Sequence, residues 1–107
     1  MSNPHAVLAM TTVASGADAA KLVRDLLEQR LIACGSLLPA MRSMYRWEGG
    51  VADESEVLVL LKTQSAHFAR LKARILELHP YEVPEVLAIP VERGHEAYLD
   101  WIARETA

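Results

Sequence analysis

The segment His79-Pro80-Tyr81-Glu82-Val83-Pro84-Glu85 sets an imidazole, a phenol and two carboxylates in a frame of two prolines. Each proline fixes its own φ at about −65° and drives the preceding residue, His79 or Val83, toward extended backbone. The polar groups are therefore held where they stand, which suits a binding site or a contact between subunits. His79 with Glu82 and Glu85 offers a nitrogen and carboxylate oxygens to a divalent cation. The bland alternative has His79 satisfying carbonyls at a helix end. No second histidine lies at a ligand spacing from it, and His5, His67 and His95 are scattered. Only a neighbouring subunit, for instance through its Cys34, could complete such a site.

Other residues carry weaker signals. Glu56 and Lys62 flank an apolar run at an even spacing, which points both to one face of a strand. They read as an interface ion pair or as ligand contacts. Cys34, in Leu31-Ile32-Ala33-Cys34-Gly35, is either a small core residue or a soft ligand for copper(I) or zinc. Tyr45, Trp47, Tyr81, Tyr98 and Trp101 suit interface anchors better than a ligand cage. No Ser-His-Asp order, Gly-rich phosphate loop or zinc-protease helix is present, so nothing in the sequence asks for an enzyme.

The elements that must hold these residues follow from periodicity. Ala6–Val13 reads as a first strand, bounded by Pro4 and Ser15-Gly16. Ser15 caps a helix that runs to about Arg30, with Ala19, Leu22, Val23, Leu26 and Leu27 inward. Leu31 to Trp47 reads as one long second strand, irregular around Pro39. Glu48-Gly49-Gly50 is a turn, and Val51 to Thr63 a third strand. Ser65 caps a second helix, with Phe68, Leu71, Ile75 and Leu78 inward, and Pro80 ends it. Pro84 to Val91 is a fourth strand, and Glu96 to Arg104 a last helix.

The order β-α-β-β-α-β plus a C-terminal helix, over residues 1–107 as one domain, is the α+β ferredoxin-like sandwich. Two helices would cover one face of its sheet. Yet Ala6–Met10, Val57–Leu61 and Val86–Ile89 are apolar toward both faces. At ~25 cal/mol per Å², leaving those side chains in water is costly. The chain offers no spare element to cover them, so another copy of the same chain is expected there. The long second and third strands are its natural arms.

Composition narrows the partners. Fourteen acidic against eleven basic residues give a net charge of −3, and no basic cluster stands out, which argues against nucleic acid. One cysteine excludes an internal disulfide and fits a reducing compartment. No apolar run approaches ~18 residues, so no membrane-spanning helix is expected. The polar start, Met1-Ser2-Asn3-Pro4-His5, lacks the layout of a signal peptide. A cytoplasmic protein is the reading.

The motifs Leu31-Ile32-Ala33-Cys34, Ser43 to Gly49, Glu56 with Lys62-Thr63, His79 to Glu85, and Tyr98-Leu99-Asp100-Trp101 together resemble the CutA divalent-cation tolerance proteins. The similarity runs from about Val7 to Ile102. It implies a cytoplasmic, non-enzymatic homotrimer of ferredoxin-like subunits, linked to tolerance of copper and other divalent cations. It also implies an inter-subunit cleft holding Cys34, Tyr45, Trp47, Glu56, Lys62 and Tyr81, and weak binding of copper or zinc. Copper binding in the family is attributed to a first-strand cysteine and paired histidines; this chain has Thr11 and Leu78 there and keeps His79 alone. The architecture is further similar to the PII signalling trimers. That likeness implies an alternative, a sensor holding a small anionic effector with Lys62 as charge partner. A purely structural trimer scaffold is the third reading.

Overall fold

A computed structural model describes residues 5–107; the reading of Met1–Pro4 lies outside them. The longest element, β4 (Gly50–Gln64), spans 15 residues, which at ~3.3 Å per residue matches the 50 Å long axis of the molecule. Most strands stop at five or six residues. This length gives β4 room for three neighbours. Its C-terminal half pairs with β1 (Ala6–Val13) on one side and β2 (Cys34–Leu37) on the other, while its N-terminal half pairs with β3 (Met41–Trp47). β5 (Leu87–Pro90) closes the far edge against β1, giving the order β2-β4-β1-β5, all antiparallel. This is the expected ferredoxin-like order, with the single long second strand resolved into β2 and β3 by a break at residues 38–40. Pro39 has no N–H for the ladder, so the pairing lapses there and resumes at Met41.

The hairpin between β3 and β4 is a two-residue turn with Trp47 opposite Gly50. Glu48 at φ 49° and Gly49 at φ 81° are both left-handed, the conformation that matches the twist of the flanking strands. It extends an arm, and the Cα radius of gyration of 14.5 Å exceeds the ~13 Å of a rounded chain this long.

Two helices cover the inner face. In α1 (Gly16–Glu28), Ser15 Oγ accepts the Asp18 N–H at 3.1 Å, the cap the sequence called for. The helix ends at Glu28 with Gln29 as its cap, and Arg30 just beyond takes the left-handed conformation usually left to glycine. The Leu31 and Arg30 amides then return to the Leu26 and Leu27 carbonyls, and buried Leu31 packs beside Leu26. Gly35 explains how closely α1 approaches β2: a Cβ there would stand 2.7 Å from a Val23 methyl. Ala9, Val13, Leu26, Val59, Leu61, Leu71 and Ile75 form the centre of the core.

Several expectations fail locally. Leu27 and Leu78 are exposed, because the buried stripes of α1 and α2 (Phe68–Leu78) are only three or four residues wide per two turns and both lie past the edge. Ser65 makes no cap; residues 65–67 form a 3-10 turn leading into α2. The last strand begins at Leu87 rather than Pro84, because the ladder with β1 runs only from Leu87 to Pro90.

The outer face is also not bare. The C-terminal helix α3 (Glu96–Glu105) lies across its lower end. There Gln64 Nε2 donates to the Ala103 carbonyl at 3.3 Å and to Thr106 Oγ1 at 2.7 Å. His67 bonds the Thr106 carbonyl, and Ile102 is buried. The chain therefore had one spare element after all. Leu87 and Ile89, which share the outer face with Met10 and Leu8, remain 54 % and 52 % exposed.

Candidate functional site

His79 stands where α2 ends, its amide closing the helix onto the Ile75 carbonyl. Its side chain is buried. Nε2 lies 2.7 Å from the Thr12 carbonyl, and Nδ1 accepts the Tyr81 N–H at 3.2 Å. A carbonyl only accepts and an amide only donates, so those partners assign the proton to Nε2. Both ring nitrogens are thus engaged by backbone, and neither is presented to Glu82 and Glu85. The imidazole also meets the Tyr81 ring edge-on, centroids 4.5 Å apart. It braces the loop against β1.

Braced in this way, Tyr81 reaches across the sheet. Its hydroxyl donates to Glu56 Oε2 at 2.9 Å. Burial, then the Glu56 carboxylate that accepts its proton, push the Tyr81 phenol up to about 12, so it remains a donor at neutral pH. A parallel pair lies further along the arm, where the Tyr45 hydroxyl donates to Glu54 Oε1 at 2.7 Å. Glu54 and Glu56 sit two residues apart on β4 and so share a face.

Between the arm and the proline-framed loop is a cleft of about 620 Å³. Tyr45, Trp47, Glu56, Tyr81, Glu82 and Glu85 line it, six of the residues singled out in the sequence. Ser43, Met44 and Val83, quoted above only as members of motifs, also line it, as does Glu54, which went unnoticed; for Glu54 the even spacing from Glu56 was the available signal. His79 instead borders a smaller cleft of about 340 Å³ on the α1 side, with Asp18, Lys21 and Asp25.

Cys34 and Lys62 do not join this site. Six residues along a strand separate Glu56 from Lys62 by ~20 Å, so the two do not pair. Lys62 Nζ is instead 3.7 Å from Cys34 Sγ and 3.4 Å from Ser36 Oγ, because Cys34 is its register partner on β2. Burial works against the charged ammonium there. Cys34 and the Tyr98 hydroxyl outweigh it and hold Lys62 above its usual range.

Among the described residues no three His, Cys, Asp or Glu side chains gather as a metal cluster. The donors facing the larger cleft are carboxylate oxygens, which suit hard divalent cations better than copper(I). Among the described residues no helix is long and apolar enough to cross a membrane.

The CutA1 divalent ion tolerance protein family matches residues 7–105. The divalent-cation tolerance protein CutA of Thermus thermophilus is 42% identical over 97 residues, covering 91% of this chain and 94% of that protein. The crystal structure of CutA1 from Oryza sativa superposes with a TM-score of 0.95 at 30% identity, covering 99% and 98% of the two chains. An Archaeoglobus fulgidus structure, described as a periplasmic divalent cation tolerance protein CutA, gives 0.93 at 31% identity over 95% and 99%. Matched along nearly all of its length in sequence and in fold, the chain belongs to the CutA1 divalent ion tolerance protein family.

Proposed function

We propose that the protein acts in divalent-cation tolerance as a non-enzymatic cytoplasmic homotrimer that binds cations such as copper(II) or zinc weakly. The family match over residues 7–105 carries this reading. Glu82 and Glu85, together with Glu54 and Glu56, are the groups that would meet the ion in the larger cleft. His79 enters the site indirectly, by fixing the loop that bears Tyr81 and Glu82. The apolar outer face and the long arm support self-assembly, in which a neighbouring copy adds donors that one chain lacks. An anionic effector finds less support, since four carboxylates face this cleft and Lys62 is held among Cys34, Ser36 and Tyr98.

Isothermal titration with zinc and copper(II) tests the metal reading. Weak binding to the wild type that is lost in Glu82→Gln/Glu85→Gln supports it. Titrations that stay blank for both ions remove direct metal binding from the account. Growth of a deletion strain in excess copper, compared with wild type, tests the tolerance role itself.

A further inference from the structure

We propose that the larger cleft is a binding site for a small organic cation, an ammonium or guanidinium group carried on an apolar body. The inference goes beyond metal tolerance and stands or falls separately from it.

It starts from Glu56, a carboxylate only 8 % exposed at the floor of the cleft. Its hydrogen bond comes from a neutral hydroxyl, that of Tyr81, to Oε2. Among the described residues the ion pairs within 4.0 Å are Arg42 with Asp53 and Arg74 with Asp25 and Glu77; none involves Glu56. A buried charge without a counter-charge is unfavourable unless something outside the chain supplies one. Glu56 has hydrogen-bonding capacity left after Tyr81, and an ammonium or guanidinium has donors to fill it.

The surroundings say what carries that charge. Among the described residues no Lys, Arg or His lines the cleft, while Glu54, Glu82 and Glu85 add further negative charge around its walls. A bare metal ion would need only such oxygens. This cleft adds the rings of Tyr45, Trp47 and Tyr81 and the apolar side chains of Met44 and Val83. Aromatic faces attract organic cations and cover their carbon skeletons, a combination a hydrated metal ion cannot use. At about 620 Å³ the cleft also has room for a small molecule. Tyr81, kept protonated at neutral pH, holds Oε2 so that the rest of the carboxylate faces the ligand.

The test uses the full chain in buffer containing a chelator, so that metal binding cannot contribute. Agmatine and spermidine are the cationic probes, with glutamate as the anionic control. Binding is read by calorimetry and by tryptophan fluorescence, since Trp47 lines the cleft. The expected result is saturable binding of at least one cationic probe and none of glutamate. Glu56→Gln should weaken that binding by about tenfold or more. Should Glu56→Gln disturb folding, Trp47→Leu on the exposed hairpin serves instead, with an expected loss of about two- to thirty-fold. No binding of either probe at millimolar concentration overturns the proposal. So does binding that both variants retain in full, which would mark a diffuse attraction to surface acids. A lysine or arginine of a second copy found paired with Glu56 in the assembled protein would also overturn it. Zinc titration without chelator reads the metal reading separately, so either can fail alone.

Discussion

The two faces of β4 differ in what their side chains are for. Toward the helices, Val57, Val59, Leu61 and Thr63 are all buried, and the one polar group among them donates to the Leu31 carbonyl at 2.7 Å. Toward the other side, Leu58 and Leu60 are only half covered, and charged or polar residues stand at both ends of the row. Each of those has its own local partner: Glu56 has Tyr81, Lys62 has Cys34 and Ser36, and Gln64 has α3. One face is finished within the chain. The other presents chemistry and unfinished apolar surface, which is where a ligand or another copy has something to gain.

Core truncation breaks this contrast most severely. Leu61→Ala, on the inner face, should lower unfolding free energy by about 2–5 kcal/mol in denaturant titrations, because it leaves a cavity among residues that cannot collapse into it. Leu60→Ala, one residue away on the outer face, should cost the isolated fold less and act chiefly on self-association. Equal losses for the two would mean the faces are not distinct.

Next comes Tyr81→Phe, expected to cost about 1–3 kcal/mol by taking the donor away from buried Glu56. The same pair gives an alkaline signature. The phenol is neutral when it donates to Glu56, and its proton is held up to about 12 against a usual 10.0. Its contribution is therefore complete below pH 10 and fades as pH rises toward 12. Absorbance titration of wild type against Tyr81→Phe should reveal one late-titrating tyrosine lost in the variant.

Two buried threonines sharpen the comparison further. Thr63→Val should cost about 1 kcal/mol, since the Leu31 carbonyl loses its donor. Thr11→Val should be neutral or stabilising, because Thr11 Oγ1 is buried with no hydrogen-bond partner among the described residues. A lowered melting temperature for Thr63→Val and no lowering for Thr11→Val is the outcome to look for.

The smallest effect is expected at Asp25, whose carboxylate accepts two bonds from Arg74 at 2.9 and 2.7 Å. The Arg74 guanidinium holds Asp25 below the usual carboxylate value of 3.8. That stability is present above the usual value and is lost as pH falls through the lowered one. Asp25→Asn should thus be slightly less stable than wild type at neutral pH and indistinguishable in strong acid. High salt should shrink the difference, since both side chains are partly exposed.

Much of this was legible in the residues. The unbroken apolar run Val57–Leu61 gave a strand apolar toward both faces, Ser15 gave the start of α1, and Glu48-Gly49-Gly50 gave the hairpin. The proline-framed segment was read as a stiff polar element suited to a binding site or a subunit contact, and its Tyr81, Glu82 and Glu85 line the larger cleft of the chain. What escaped depended on distance in space. Glu56 and Lys62 share a face, but spacing parity says nothing of the ~20 Å between them, so within one chain they stand in two separate clusters. The docking of α3 was hidden because an amphipathic helix does not declare which surface it will cover. His79 could be read as ligand or brace until its two backbone partners, one of them sixty-seven residues away at Thr12, were known.

The central claim is that the outer face is completed by further copies of this chain. Light scattering at micromolar concentration measures that directly. A mass of three times the 11.8 kDa chain is the predicted result. A mass of one chain, with Leu87 and Ile89 left in water, would contradict it.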